Sequence, residues 1–227
     1  MSSVPSSIGV ILDGNRRWAK EHGLPALEGH RRGFEKTKEI LEWADNAGIK
    51  EIVLYAFSTE NWNRSPEEIA YLMDIFREGF AEYLEEALKR NKKLRFIGQR
   101  ERMPEDLQEL MERAERESAE GEDGALVIAV SYGGRAEILD AVNTLLAREE
   151  YEQVTEAELR SAMWSTGLLD PDLIIRTGGD KRISNFLTWQ SVYSELFFVE
   201  SKLPEFSKGE FDSILAEYAK RERRHGK

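Results

Sequence analysis

Ile8-Gly9-Val10-Ile11-Leu12, followed at once by Asp13-Gly14-Asn15-Arg16-Arg17-Trp18, is the stretch on which the reading of the fold turns. The apolar run predicts a strand, Asp13-Gly14 a tight polar turn, and the residues after it the start of a helix. Glycine lets the backbone come close to a ligand, and the free N–H groups and macrodipole of a helix N-terminus favour an anion. The turn is therefore suited to phosphate. An aspartate at this place repels phosphate, so its expected partner is a hard cation such as Mg²⁺ that the phosphate shares. An Asp-Gly turn beside two solvated arginines is the ordinary alternative. A second basic cluster far along the chain tips the balance.

That cluster is Asp172-Leu173-Ile174-Ile175-Arg176-Thr177-Gly178-Gly179-Asp180-Lys181-Arg182-Ile183-Ser184-Asn185-Phe186. A short apolar strand ends at Arg176, two glycines loosen the turn, and Arg182 and Ser184 follow within reach. Arginine grips phosphate bidentately and stays charged, and a serine hydroxyl adds a neutral donor. Two anion sites in one small chain imply two phosphorylated substrates.

Between these ends strands and helices alternate. Expected strands are Ile8–Leu12, Ile52–Phe57, Leu94–Ile97, Leu126–Val130, Leu173–Arg176 and Leu196–Val199. Such alternation implies an α/β fold with a mostly parallel, six-stranded sheet flanked by helices. Ligands of open parallel sheets bind beyond the carboxyl ends of the strands. Asp13, Ser58, Ser131 and Arg176 all stand at or just past such ends, so one rim can hold them. The stretch from Glu115 to Gly124 reads as the longest loop.

The 227 residues suit a single domain spanning 1–227, and no repeat, low-complexity tract or linker divides them. With no cysteine, disulfides and thiolate metal sites are excluded, which fits a reducing cytosol. No signal peptide or long apolar run is visible, so a cytoplasmic protein, at most peripheral to a membrane, is expected. A formal net charge of −11 argues against nucleic acid as a partner. Much of the acid lies between Glu101 and Asp123 and reads as a solvated helix face.

Four blocks carry a more specific signal: Asp13 through Ala19, Tyr55-Ala56-Phe57-Ser58-Thr59-Glu60-Asn61-Trp62-Asn63-Arg64, Ser131-Tyr132-Gly133-Gly134-Arg135, and Ile175 through Leu187 with Trp189-Gln190. In this order they resemble the cis-prenyltransferases, the undecaprenyl diphosphate synthase family, over nearly the whole chain. The resemblance implies condensation of isopentenyl diphosphate onto an allylic diphosphate primer, with new Z double bonds and a requirement for Mg²⁺.

Residue roles follow from that resemblance. Asp13 is expected to hold Mg²⁺, with Glu195 assisting the metal, although a buried structural carboxylate is an alternative for Glu195. Gly14, Asn15, Arg16, Arg17, His30 and Arg64 would hold the allylic diphosphate, and Arg176, Arg182 and Ser184 the isopentenyl diphosphate. Trp18, Thr59, Glu60 and Trp62 belong to the same substrate-binding blocks. Ser58 and Asn61 would orient substrates and relay the proton lost after C–C bond formation. His30 reads equally as a satisfied structural histidine.

The loop before Pro66 closes on Ser65-Pro66-Glu67-Glu68, which has the form of a capping box and gives Glu68 a structural reading. The helix after it carries Ile69, Leu72, Met73, Phe76, Phe80, Tyr83, Leu84, Ala87 and Leu88 at helical spacing, a core stripe in most proteins. In a chain resembling these synthases, part of it would line the tunnel for the growing product, with the loop as a lid. Ala56 is small, which in this family goes with medium or long products, so an undecaprenyl-class lipid-carrier precursor is expected. The alternatives are a short-chain Z-prenyl synthase and a silent subunit of a heteromeric enzyme. The tail Arg224-x-Gly226 resembles the family's terminal arginine-glycine motif, implying a homodimer in which Arg224 reaches the partner's isopentenyl diphosphate. One departure is Ala26, where the family often has an arginine; Arg16, Arg31 or Arg32 would have to substitute.

Overall fold

A computed structural model describes residues 4–147 and 153–221. Six strands form one wholly parallel sheet: β1 (Ser7–Ile11), β2 (Glu51–Tyr55), β3 (Lys93–Ile97), β4 (Ala125–Ala129), β5 (Leu173–Arg176) and β6 (Glu195–Phe198). Their spatial order is β3-β4-β2-β1-β5-β6, so β1 lies inside the sheet with β2 on one side and β5 on the other. All six expected strands are present, each within a residue or two of its expected bounds. The α/β reading of a single six-stranded sheet flanked by helices holds.

Register makes one edge of the sheet a shared rim. Ile11 pairs with Tyr55 and with Arg176, Tyr55 with Ala129, and Arg176 with Phe198. The carboxyl ends of five strands are therefore level. At the opposite edge Ser7 pairs with Glu51, and Leu173 with Glu195.

The helices are α1 (Asn15–Glu21), α2 (Ala26–Asn46), α3 (Pro66–Lys89), α4 (Glu105–Glu117), α5 (Gly134–Leu146), α6 (Glu156–Ala162) and α7 (Lys208–Tyr218). Strand residues of alternating parity face opposite layers, as the two-residue repeat requires. Ile8, Val10, Ile52, Leu54, Leu126 and Ile128 pack with the apolar faces of α2, α3 and α4. Val53, Tyr55, Val127 and Ala129 pack on the other face with Tyr132, Leu168 and Phe186. Helix α4 runs on to Glu117, so the loop expected from Glu115 is shorter. Its acidic residues face solvent while Leu107, Met111 and Ala114 are buried, and that amphipathic stripe keeps Glu115 and Arg116 helical.

Ser65 caps α3 by accepting a hydrogen bond from the Glu68 N–H, with Pro66 at the first helical position. Half of the expected capping box is thus present. The reciprocal half is not, because the Glu68 carboxylate turns to His30 and Arg64 instead.

Candidate active site

A cleft of about 820 Å³ opens at the carboxyl ends of β1, β2 and β5, within the size range of small-molecule sites. Its depth is set by β1. Asp13 follows the end of that strand by two residues, and Gly14 adopts φ 101°, which favours glycine and turns the chain into α1. The Asp13 Oδ1 accepts a hydrogen bond from the Gly14 N–H at 2.6 Å, and the Asp13 N–H donates to the Thr177 hydroxyl at 3.1 Å. Thr177 in turn donates to the Asp13 carbonyl at 2.7 Å, so the two turns expected from the sequence are stitched together.

The Asp13 Oδ2 lies 2.8 Å from the Arg176 guanidinium and 3.1 Å from that of Arg17. Burial alone raises this carboxyl, but the hydrogen bond and charge of Arg176, then Arg17 and the Gly14 N–H, outweigh it and hold it below the usual carboxylate range. Arg176 is itself buried; it also donates to the Arg182 carbonyl at 2.5 Å and to the Ser184 hydroxyl at 2.6 Å. Asp180 completes the cluster. One of its oxygens stands 3.3 Å from Arg17, 3.0 Å from Arg182 and 3.7 Å from Arg176. Three guanidiniums thus converge on one anionic group, which here is a side-chain carboxylate.

A second basic group lies across the mouth. His30 Nε2 and the Arg64 guanidinium share the Glu68 Oε1 at 3.0 and 3.1 Å, and Arg16 approaches it at 3.8 Å. Burial pushes the His30 pKa down, against the hydrogen bond to Glu68, so the imidazole is neutral near pH 7. The Glu68 carboxyl, raised by burial, is brought below its ordinary value by His30, Arg64 and Arg16.

Backbone strain collects at the same rim. Ser184 and Asn185 both have positive φ, 49° and 64°, a conformation that costs non-glycine residues energy and is often kept at functional sites. Asn185 is pinned from several sides: the Gly134 and Arg135 N–H groups donate to its carbonyl and side chain at 2.7 and 2.9 Å, and its amide donates to Glu60 at 3.1 Å.

Of the residues expected from the sequence, Asp13, Gly14, Asn15, Arg16, Arg17, His30, Ser58, Glu60, Asn61, Arg64, Arg176, Arg182 and Ser184 all line the cleft. Four do not. Trp18 stacks on His22 beside the turn. Thr59 donates its N–H to the Tyr132 carbonyl. Trp62 donates its ring N–H to Ser131 at 2.9 Å and lies under Arg102, anchoring the short 3-10 turn Thr59–Asn63 from behind.

Glu195 is the fourth, and it corrects the expected metal pair. It begins β6 at the edge of the sheet opposite the rim, where Arg221 holds its carboxylate. In a parallel sheet, the first residue of one strand cannot reach a residue just past the end of another. Among the described residues no group of three or more His, Cys, Asp or Glu side chains could hold a metal ion. Arg224 lies outside the described residues.

Of the three candidates for the charge missing at Ala26, Arg16 reaches the cleft, whereas Arg32 pairs with Glu28 and Glu35 on the outer face of α2 and Arg31 is exposed. The sequence reading missed Glu68 and Asp180 as members of the charged network. In each case the signal was present: an acid four residues after a basic one, Arg64 to Glu68 and Arg176 to Asp180.

The family model described as "Putative undecaprenyl diphosphate synthase" matches residues 11–226. An isoprenyl transferase of Thermotoga maritima is 41% identical over 226 residues, covering 98% of this chain and 97% of its own. A tritrans,polycis-undecaprenyl-diphosphate synthase (geranylgeranyl-diphosphate specific) of Pyrococcus horikoshii is 42% identical, covering 99% of this chain and 88% of its own. Among solved structures, lavandulyl diphosphate synthase from Lavandula x intermedia, in complex with dimethylallyl diphosphate, superposes with a TM-score of 0.94 at 31% identity, covering 99% of both chains. A probable undecaprenyl diphosphate synthase of Campylobacter jejuni does so with a TM-score of 0.83, also at 31% identity and with full coverage of both.

Proposed function

We propose a reaction from one premise: the chain belongs to the undecaprenyl diphosphate synthase family. It is a cis-prenyltransferase that joins isopentenyl diphosphate to an allylic diphosphate primer, forming a Z double bond at each addition. The observation that carries this reading is the convergence of Arg17, Arg176 and Arg182 on the Asp180 carboxylate, beside Asp13 and opposite the Arg16–Arg64–His30 group. The Asp180 carboxylate stands where diphosphate oxygens would sit, and an incoming diphosphate would take over its guanidiniums.

In the reaction the allylic C–O bond breaks, diphosphate leaves, a C–C bond forms to the isopentenyl group and a proton is lost. Fixed donors aimed at the developing charge of the leaving group are usually the largest catalytic contribution. Here they are the Gly14 backbone with Asn15, Arg16 and Arg17, helped by neutral His30 and Arg64. Arg176, Arg182 and Ser184 hold the second diphosphate, and Asn61, whose side chain accepts from the Ser58 N–H at 3.0 Å, orients the reacting groups with Ser58 and receives or relays the proton.

The donor set also fits Mg²⁺. Asp13 offers a hard, ionised oxygen to the cleft, and Mg²⁺ is commonly held by one or two carboxylates together with substrate phosphates. When bound there it would neutralise charge on the departing diphosphate as a Lewis acid. The product is an undecaprenyl-class polyprenyl diphosphate. One observation favours a shorter chain instead: Phe76 stacks on Phe80 at 5.4 Å and fills the layer behind Leu72.

Incubation with labelled isopentenyl diphosphate and primers of several lengths, with Mg²⁺ or with EDTA, tests these readings. Product only in the Mg²⁺ arm supports them. Full activity in EDTA removes the metal, and no product with any primer removes the prenyl reading.

The assembly is a homodimer through the β6 edge, which supports the reading with exposed Val192 and Tyr193 just before Leu196, itself 39% exposed. Sedimentation gives the mass, and deletion of Arg223–Lys227 should raise KM for isopentenyl diphosphate if Arg224 crosses to the partner's site. The protein acts in the cytoplasm or at the face of a membrane; no described helix is long and apolar enough to cross one.

A further inference from the structure

Helices α2 and α3 both run away from the rim, and three polar rungs join them along the way. His30 meets Glu68 at the mouth, Thr37 meets Tyr83 at 2.6 Å midway, and Asp45 meets Arg90 at 2.9 Å beyond the far end of α3. The last rung is the heaviest. Arg90 also binds Glu86 at 2.8 Å, Lys92 stands 3.2 Å from Asp45, and the Lys92 ammonium, 7% exposed, donates to the Ile49 carbonyl at 2.9 Å. Four charged groups therefore close the bottom of an otherwise apolar layer.

Just inside them lies a small void of about 20 Å³, walled by Leu41, Ala44, Ile52, Ala87 and Leu126. Ala44 on α2 and Ala87 on α3 are buried, and with so little bulk from either helix the layer is least filled here. From Leu72, which lines the cleft, to Ala87 is 15 residues of α3, roughly 22 Å at 1.5 Å per residue.

We propose that the Asp45–Arg90–Glu86–Lys92 group is the floor against which the growing hydrocarbon tail stops, with the void between Ala44 and Ala87 as its last pocket. The proposal rests on the chain-elongation reading. The tail enters past Ala56 and Leu72, parts the aromatic side chains of α3, and travels along the apolar stripe. Each added unit gains apolar burial until the tail end reaches the charges. Going further would strip water and partners from a buried ammonium and its carboxylate, a cost that hydrocarbon cannot offset. Elongation then halts and the product is released at that length.

Product ladders from the full chain decide this. Ala87→Leu fills the void and shortens the longest major product by at least one isoprenyl unit. Arg90→Gln, which touches the floor without adding bulk to the core, lengthens it by at least one. Neither residue touches the reacting groups, so the rate of the first condensation stays within about twofold of the unmodified chain. Should Ala87→Leu fail to fold by circular dichroism, Arg90→Gln decides alone. Identical ladders in variants that still turn over overturn the floor while leaving the prenyl reading intact. An unmodified chain that stops after one or two additions also overturns it, because the α3 aromatics then set the limit. No product from the unmodified chain removes both.

Discussion

At the scale of single residues the site is organised by which carboxylate each guanidinium holds. Asp13 does two jobs: it neutralises buried Arg176 and it presents an ionised oxygen to the cleft. Asp13→Asn is expected to keep the fold, because Arg176 retains the Arg182 carbonyl and the Ser184 hydroxyl. Turnover should fall ~10²–10³-fold or more, the usual cost of one well-placed electrostatic group. Steady-state assays at saturating Mg²⁺ check this, and near-normal activity would sink the role. Asp180→Asn bears on the stand-in reading. With the carboxylate gone, Arg17 and Arg182 lose an internal competitor, and KM for isopentenyl diphosphate should fall severalfold. A rise instead would make Asp180 a positioning group for the arginines. These single residues were the most legible part of the site, since Asp13, Arg176 and Ser184 could be read from turn chemistry alone. Glu68 was not, because a glutamate three residues after a capping serine has a sufficient local explanation, and only the fold brings His30 within 3.0 Å of it.

At the scale of elements, strand periods and breaker residues revealed all six strands, but helix-to-helix approach distances were invisible. Helix α2 crosses α1 so closely that a Cβ on Gly33 would stand 2.2 Å from the Asn15 Oδ1. That oxygen is buried and has no hydrogen-bond partner among the described residues, so Gly33 leaves Asn15 the room to turn toward substrate. Gly33→Ala should displace Asn15, cost ~1–3 kcal/mol of stability as an overpacked contact, and raise KM for the allylic primer. Thermal melts and primer titrations check the two effects separately; an unchanged KM with a lowered Tm would reduce Gly33 to packing. The same logic separates Ala56 from the floor of the layer. Ala56 lines the cleft at the end of β2, so Ala56→Leu should shorten products near the entrance while sparing the first condensation. The position of Glu195 shows where sequence reading ran out. A residue just before a strand lies at the sheet edge away from the rim, so its place could have been deduced from parallel topology. The loop expected from Glu115 failed for a different reason: glutamate-rich sequence looks like loop until its buried face, Leu107, Met111 and Ala114, is counted.

At the scale of the whole molecule, the two edges of the sheet do different work. The carboxyl edge carries the cleft, and the opposite edge ties β1, β2 and the chain before β5 together through one buried carboxyl group. Glu51, 6% exposed, accepts on a single oxygen from the Ser7 hydroxyl and the Leu169 N–H, both at 3.1 Å. Burial pushes its pKa up to about 7, against those hydrogen bonds and the Arg95 charge, with Asp170 adding to the rise. A carboxyl that binds its proton more tightly in the folded state stabilises the fold while that proton is on. Its contribution is therefore complete below the unfolded value of 4.5 and is lost as pH rises to about 7. At about 1.4 kcal/mol per unit the swing is of order 3 kcal/mol. Glu51→Gln keeps the shape and an acceptor oxygen but cannot ionise. Relative to the unmodified chain it should be least favoured near pH 5 and most favoured near pH 8, with the difference in unfolding free energy changing by ~2–3 kcal/mol between them. Urea titrations at the two pH values measure that difference directly. Because Glu51 lies at the edge away from the cleft, the variant's turnover at pH 8 should match that of the unmodified chain. A pH-independent difference in stability would show that Glu51 ionises freely where it stands.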